Sequence, residues 1–295
     1  MLKLELVEAV LARALKGGAD FAEVYAQRAK ERRMKVRQGA LEEALSGLDY
    51  GAGVRLFFGT EVVYAYTNDL TQEGLMEALE TLLRAKGALG KVDEGGKGGL
   101  DFRKATPKGL HAPKVPYGEK DKRYRLERLL EAEAGARIAP AIKQVEASLL
   151  EWEEEVLVAN TEGVFAEEKR VRTRLFVLAV AQDGAEVQTG YSAPGKSVGL
   201  ELFDLYPPKA VGEKAARQAL TNLKARPAPA GTFPVVVGPG FGGVLFHEAV
   251  GHLLETTSVA RKASVLADKL GEVVASPAVT YIDDGTLPHA WGSTE

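Results

Sequence analysis

Arg170, Arg172 and Arg174 alternate with Val171, Thr173 and Leu175, and the segment runs on into the apolar stretch 175–181. Successive side chains of an extended strand point to opposite faces, so this pattern suits a strand with one wet face and one buried face, and it does not suit a helix. Residues 142–150 and 154–159 are strand-like in the same way. Together they predict a half-buried sheet in the middle of the chain. The arginine row reads as the solvated face of that sheet, and no site role is assigned to it.

Before the sheet, Leu4, Val7, Val10, Leu11 and Leu15 recur at helical spacing and Gly17-Gly18 ends the helix they predict. Over 21–67 the period shortens to alternating segments at 23–28, 33–37, 54–58 and 62–66. Turn signals at Gly39, Gly47 and Gly59 separate them, which predicts an antiparallel sheet. Thr71 can cap a helix whose Leu75, Leu79, Leu82 and Leu83 make an apolar stripe. Residues 86–118 are rich in glycine, lysine and proline without a sustained period, and they hold a histidine, His111, with no partner pattern. That stretch reads as a linker. It divides the chain into an amino-terminal α+β domain, 1–118, and a β-rich domain, 119–295.

In the second part a charged helix is expected over 121–137, with Leu126, Leu129 and Leu130 on one side. Pro207-Pro208 introduces another, over about 209–224, and Arg226-Pro227-Ala228-Pro229-Ala230 forms a stiff connector. A short buried strand, 233–237, is then expected to feed a glycine loop and a helix that carries two histidines. The fold class that follows is α+β: antiparallel sheets with packed helices, a two-layer first domain and a second mixed domain carrying the histidine helix.

The chain has 295 residues, no cysteine, a formal net charge of −3 and a pI near 6.0. The missing cysteines exclude disulfides, thiol nucleophiles and any sulfur ligand from this polypeptide. Acids and bases are interspersed, so there is no broad positive field for a phosphate backbone, and no nucleic-acid partner is expected. The start, Met1-Leu2-Lys3-Leu4-Glu5, does not read as a signal peptide, and the longest apolar run, 175–181, is too short to span a bilayer. A soluble, cytoplasmic protein with no membrane partner is expected.

The chemistry concentrates in His247-Glu248-Ala249-Val250-Gly251-His252, which holds two of the four histidines. Metal hydrolases commonly space two histidines four apart, because four residues of α-helix turn through roughly 400° and both rings then face one ion. Here the interval is five, and an ideal helix would leave the rings some 140° apart. A π-bulge reduces that divergence, and Gly251 is a suitable place for one. If an ion is held, Glu248 is the natural general base, since it directly follows a ligand. The alternative is a regular helix in which Glu248, His252 and Glu255 share a face and make an ordinary Glu–His pair without a metal.

A rival motif overlaps this one. Gly238-Pro239-Gly240-Phe241-Gly242-Gly243 satisfies G-x-G-x-x-G, but the Ser258-Val259-Ala260-Arg261-Lys262-Ala263 segment has no second strand ending in an acid, and Pro239 removes an N–H. A nucleotide-binding enzyme stays open as a further reading. Tyr281-Ile282-Asp283-Asp284-Gly285 reads as a strand entering a turn, with the aspartates as turn formers or outer carboxylates. His289, beside Pro288, reads as a surface histidine and an outside candidate for a ligand.

With these residues set out, the chain resembles the TldD/PmbA family, and within it the TldD-like branch. The segment from Val235-Val236-Val237-Gly238-Pro239-Gly240 to the HExxxH block is similar to that branch's signature. Asp49-Tyr50-Gly51-Ala52-Gly53-Val54-Arg55, Tyr64-Ala65-Tyr66-Thr67-Asn68-Asp69-Leu70 and Ile282-Asp283-Asp284-Gly285-Thr286-Leu287-Pro288 resemble other family segments. The resemblance implies a zinc-dependent metallopeptidase acting on unfolded or short peptides in a closed chamber. It implies His247 and His252 as zinc ligands, Glu248 as base, and a homodimer or a heterodimer with a PmbA/TldE-like subunit. The family's association with DNA gyrase modulation gives no reason to expect DNA contact here.

Two departures stand against the family pattern. Family members run past residue 295, and their third ligand is a cysteine in the carboxy-terminal half. Leu253-Leu254-Glu255-Thr256-Thr257 also stands where relatives have a glycine and an acidic pair. Three readings follow: the chain is a truncated product, or Glu255, Asp283, Asp284 or His289 completes the coordination, or the metal site is incomplete. In the last case the protein is a non-catalytic subunit or scaffold.

Overall fold

The computed structural model describes residues 1–87, 100–105 and 111–294. These divide into two compact units, one of residues 1–225 with 284–295 and the other of 226–283.

The large unit is built on one eight-stranded sheet. Helix α1 (Leu4–Lys16) is followed by a meander of β1 (Phe21–Arg37), β2 (Ala40–Phe58) and β3 (Glu61–Thr67), and then by α2 (Gln72–Ala85). Gln38 and Gly39 form the two-residue hairpin between β1 and β2, both with positive φ (52° and 76°), as a turn matched to strand twist requires. Gly47 is not a turn. It lies within β2, opposite Glu31 of β1, because a lone glycine in a long paired strand does not stop the ladder. Thr71 caps α2 as expected, its hydroxyl accepting from the Gly74 N–H.

After the short β4 (Arg103–Ala105) and a 3₁₀ turn at Tyr117–Glu119 come α3 (Lys122–Gly135), β5 (Ile142–Asn160), β6 (Val164–Asp183), β7 (Glu186–Ser192) and β8 (Gly195–Lys196). Helices α4 (Leu202–Leu205) and α5 (Pro208–Asn222) complete the unit. The two runs read at 142–150 and 154–159 are one continuous strand. The strand order is β3-β2-β1-β5-β6-β4, with β7 and β8 also paired to β6.

The pairing crosses the division expected near residue 118. β1 pairs antiparallel with β5 from Glu23↔Asn160 to Arg37↔Glu146, so both parts of the chain share one sheet. A change in composition marks where periodicity lapses, and it carries no information about which strands pair across the gap.

Two apolar cores lie along this sheet. Val24, Ala26, Val54, Leu56 and Leu157 are buried together with Val7 and Leu11 of α1 and Leu75, Leu79 and Leu83 of α2. Met34, Val36, Val145, Leu149, Leu175 and Val177 are buried together with Leu129 of α3 and Val211, Ala215 and Ala219 of α5. Between the cores the strands turn charged: Arg28, Lys30 and Arg32 of β1 stand opposite Glu155, Glu153 and Glu151 of β5.

The arginine row of β6 is less solvated than its alternation suggests. Arg170 and Arg172 flank Glu154 at 3.7 Å each. Arg172 donates to the Trp291 carbonyl at 2.9 Å, and the Arg174 guanidinium stacks 4.2 Å from the Trp291 ring centroid. Residues 284–294 are tied to the sheet through these contacts and through Ser197, whose hydroxyl donates to the Ala290 carbonyl.

The smaller unit, 226–283, carries α6 (Gly243–Phe246) and α7 (Thr256–Ala260) with a π turn and a 3₁₀ turn between them. The buried strand expected at 233–237 is absent: these residues make no strand, and Val236 is 97% exposed. The apolar run is there, but among the described residues no strand pairs with it, and an unpaired segment cannot form a ladder. Tyr281, Ile282 and Asp283 are likewise exposed and outside any strand. No helix among the described residues is long and apolar enough to cross a membrane.

Candidate metal centre

The histidine segment follows one continuous helical path that changes pitch. Helix α6 hands over at His247 to a π turn spanning His247–Gly251, and a 3₁₀ turn, His252–Leu254, follows. The His247 carbonyl accepts a backbone N–H at the His252 cap, the i→i+5 bond of a widened turn. A spacing of five therefore closes one turn here, as a spacing of four does in an α-helix. The two imidazole centroids lie 4.4 Å apart, so the irregular turn expected from the spacing is present.

Gly251 belongs in that turn for a different reason than expected. Its φ and ψ are −55° and −53°, ordinary helical values that any residue adopts. The absence of a Cβ is what matters: one would sit 3.1 Å from the Tyr281 hydroxyl and 3.3 Å from Nδ1 of His247. In the sequence Tyr281 reads only as part of a strand. Its place beside the turn comes from a chain reversal thirty residues long, which no local pattern signals.

His247, Glu248 and His252 each offer one ligand atom, and these atoms all lie within 4.8 Å of one another. Nε2 of His252 is 3.5 Å from a Glu248 carboxylate oxygen, and Nδ1 of the same ring is 2.7 Å from Oε1 of Glu255. The Glu255 hydrogen bond raises the His252 pKa above its ordinary value, with the nearby Glu255 and Glu248 charges adding to the effect. With Nδ1–H donating to Glu255, the Nε2 lone pair is the one left for a metal. A carboxylate behind an imidazole in this way is how metal-binding histidines are commonly oriented. Two imidazoles and a carboxylate suit a borderline divalent ion such as zinc, and the Glu248 side chain is 62% accessible.

Three of the other candidate ligands, Glu255, Asp284 and His289, have other partners. Glu255 is bonded to His252, and Asp283 is outside the trio. Asp284 and His289 belong to the large unit. Asp284 accepts from both the N–H and the hydroxyl of Thr286 at 2.8 and 2.7 Å, a turn-forming arrangement that holds its pKa below the usual range. His289 is half-buried, with Nδ1 3.2 Å from the Ser197 carbonyl. Its backbone N–H donates to Nδ1 of His111 at 3.2 Å. His111, without a partner pattern in the sequence, is 4% exposed. Its partner is 178 positions away, which explains why the sequence does not reveal it.

The glycine loop does not make a phosphate cradle. N–H groups of Gly243, Val244 and Leu245 donate to the carbonyls of Gly240, Phe241 and Gly242, and no strand precedes the loop.

Three adjoining segments match the three domain models of one family. Residues 22–86 match PmbA/TldA metallopeptidase domain 1, residues 114–223 the central domain, and residues 230–295 the C-terminal domain. The chain belongs to the TldD/PmbA family. Among its TldD/PmbA relatives, a metalloprotease TldD homolog of Haemophilus influenzae is 33% identical over 284 residues, which cover 93% of this chain and 58% of that protein. A metalloprotease of Methanothermobacter thermautotrophicus is 30% identical over 91% of this chain and 58% of its own length. The chain thus spans less than two thirds of these relatives. The crystal structure of TldE from Thermococcus kodakarensis has the same fold, with a TM-score of 0.70 at 18% identity, covering 92% of this chain and 60% of that one.

Proposed function

We propose that His247 and His252 hold a zinc ion and that this protein hydrolyses peptide bonds in unfolded or short peptides in the cytoplasm. The observation that carries the reading is the π turn, which sets the imidazoles 4.4 Å apart beside the Glu248 carboxylate. A bound divalent ion supplies Lewis acidity, polarising a scissile carbonyl and making water more acidic. Glu248 takes the proton from the attacking water and delivers it to the leaving amine. His247 and His252 orient the ion, and Glu255 holds the His252 ring in register. Relatives named as metalloproteases support this reaction class. A dimeric assembly, either of two copies or with a PmbA/TldE-like subunit, is part of the same proposal and rests on membership of the TldD/PmbA family.

The test pairs metal content with turnover. Glu248→Ala is expected to retain zinc, measured by atomic emission after zinc loading, and to lose peptide hydrolysis by at least about 100-fold. Unchanged hydrolysis in that variant would remove Glu248 from the mechanism. A second reading is favoured by the donor count: beyond the base, the trio supplies two imidazoles, and the chain has no cysteine to add. On that reading the protein is a non-catalytic subunit, and zinc-supplied protein neither retains the ion nor cleaves peptides.

A further inference from the structure

A cavity of about 480 Å³ lies at the sheet beside the core that holds Met34 and Leu149, walled by the middles of β1, β2 and β5 and by the start of α3. It lies in the large unit, and none of its lining residues is among those proposed for the metal site. Its floor is apolar, made by the buried side chains of Met34, Leu149 and Tyr117. The Tyr117 hydroxyl is taken up by the Arg172 carbonyl and the Thr173 hydroxyl, each at 2.8 Å.

Two arginines border this floor in different states. Arg125 is fully engaged: it grips both carboxylate oxygens of Glu151 and also donates to the carbonyls of Tyr117, Lys120 and Asp121. Arg32 lies over the Tyr117 ring, 5.5 Å from its centroid, and its Nη1 is buried without a hydrogen-bond acceptor. The carboxylate oxygens of Glu151 and Glu153 stand off at 3.6 and 3.8 Å. Both Glu151 oxygens already bind Arg125, and Glu153 is held by Lys169 at 2.9 Å. A buried charged donor left unmade is costly, and native structures rarely leave one without a partner.

The cavity's remaining charge is mostly positive. Lys30, Arg33, Lys120 and Lys122 also line it, and among the described residues the one lining acid besides Glu151 is Asp121, which caps α3 by accepting from the Tyr124 N–H.

We propose that this cavity binds a small organic carboxylate with an apolar body. The carboxylate accepts from Arg32 between Lys30 and Lys122, and the body lies on Met34, Leu149 and Tyr117. A singly charged, planar anion suits a guanidinium that already has two glutamates within 4 Å, whereas a doubly charged phosphate meets their repulsion.

Calorimetric titration of the full chain with N-acetyl-L-phenylalanine tests this, with EDTA present so that no metal contributes. Saturable binding to one site is expected, with N-acetyl-L-phenylalaninamide at least about tenfold weaker, since a neutral amide with one acceptor oxygen replaces the charged carboxylate. Arg32→Met is expected to weaken the acid about tenfold, and Ala44→Trp, at an exposed lining position, to block it. If Arg32→Met does not melt as a folded protein, Lys122→Gln is read in its place, with about threefold weakening expected. Absence of saturable binding, equal affinity for acid and amide, or undiminished affinity in the folded charge variant would overturn the proposal.

Discussion

At the residue scale, two carboxylates illustrate how position sets the role of a glutamate. Glu255 is joined to Nδ1 of His252 and so stands behind the ring of a proposed zinc ligand. Glu255→Gln is expected to lower the His252 pKa, read by proton NMR titration, and to weaken zinc affinity by about 10- to 100-fold in a chelator competition. An unchanged affinity would make the pair a surface contact and nothing more. Glu201 shows the structural counterpart: it is 7% exposed, and its two oxygens accept the N–H groups of Lys114 and Val115 at 2.9 Å each. Burial pushes its pKa up, but these donors, with backbone N–H groups at Glu201 and Gly199, prevail and hold it below the usual value. A depressed folded pKa contributes stability that is complete above the unfolded value and is lost as pH falls through the folded one. Unfolding midpoints of the native protein are therefore expected to fall below about pH 4.3, and Glu201→Gln is expected to flatten that acid limb.

At the scale of elements, close approach of backbones decides what neither propensity nor pattern conveys. Helices α3 and α5 meet at Gly212, where an added Cβ would stand 2.0 Å from the Ala132 carbonyl oxygen. The helix forms at that position anyway, because neighbouring Val211, Ala215, Ala216 and Ala219 supply its buried face. Gly212→Ala is accordingly expected to lower stability by about 1–3 kcal/mol in urea denaturation, against the modest gain alanine gives in an isolated helix. A stabilised variant would mean that the helices separate freely. Helix boundaries were legible at Thr71, which caps α2, and at Pro208, at the first turn of α5, whereas Asp121, read as the first residue of a helix, is the cap of α3. The strand expected at 233–237 was not, because a strand is a relation between two segments and this one has no partner among the described residues.

At the scale of the molecule, stability is unevenly distributed. All buried apolar residues among those described lie at or before Ala219, so the 226–283 unit holds its histidines without an apolar core of its own. Segments with few buried contacts open at low free energy. Limited trypsin digestion is expected to cut first at Arg261, Lys262 or Lys269, all exposed, leaving a fragment that contains the sheet. A first cut inside β1, β5 or β6 would contradict that ranking. The amino-acid order by itself determined the alternation of β6, the capped helices, the α+β class and the demand for a widened turn at His247–His252, since each follows from residues within a few positions of one another. Only the tertiary structure decided that β1 pairs with β5 across more than a hundred residues, that Arg32 is left with an unmet donor and Arg125 is not, and that Tyr281 borders Gly251. Those outcomes rest on contacts between distant segments, and the energy of such a contact is not written in either segment alone.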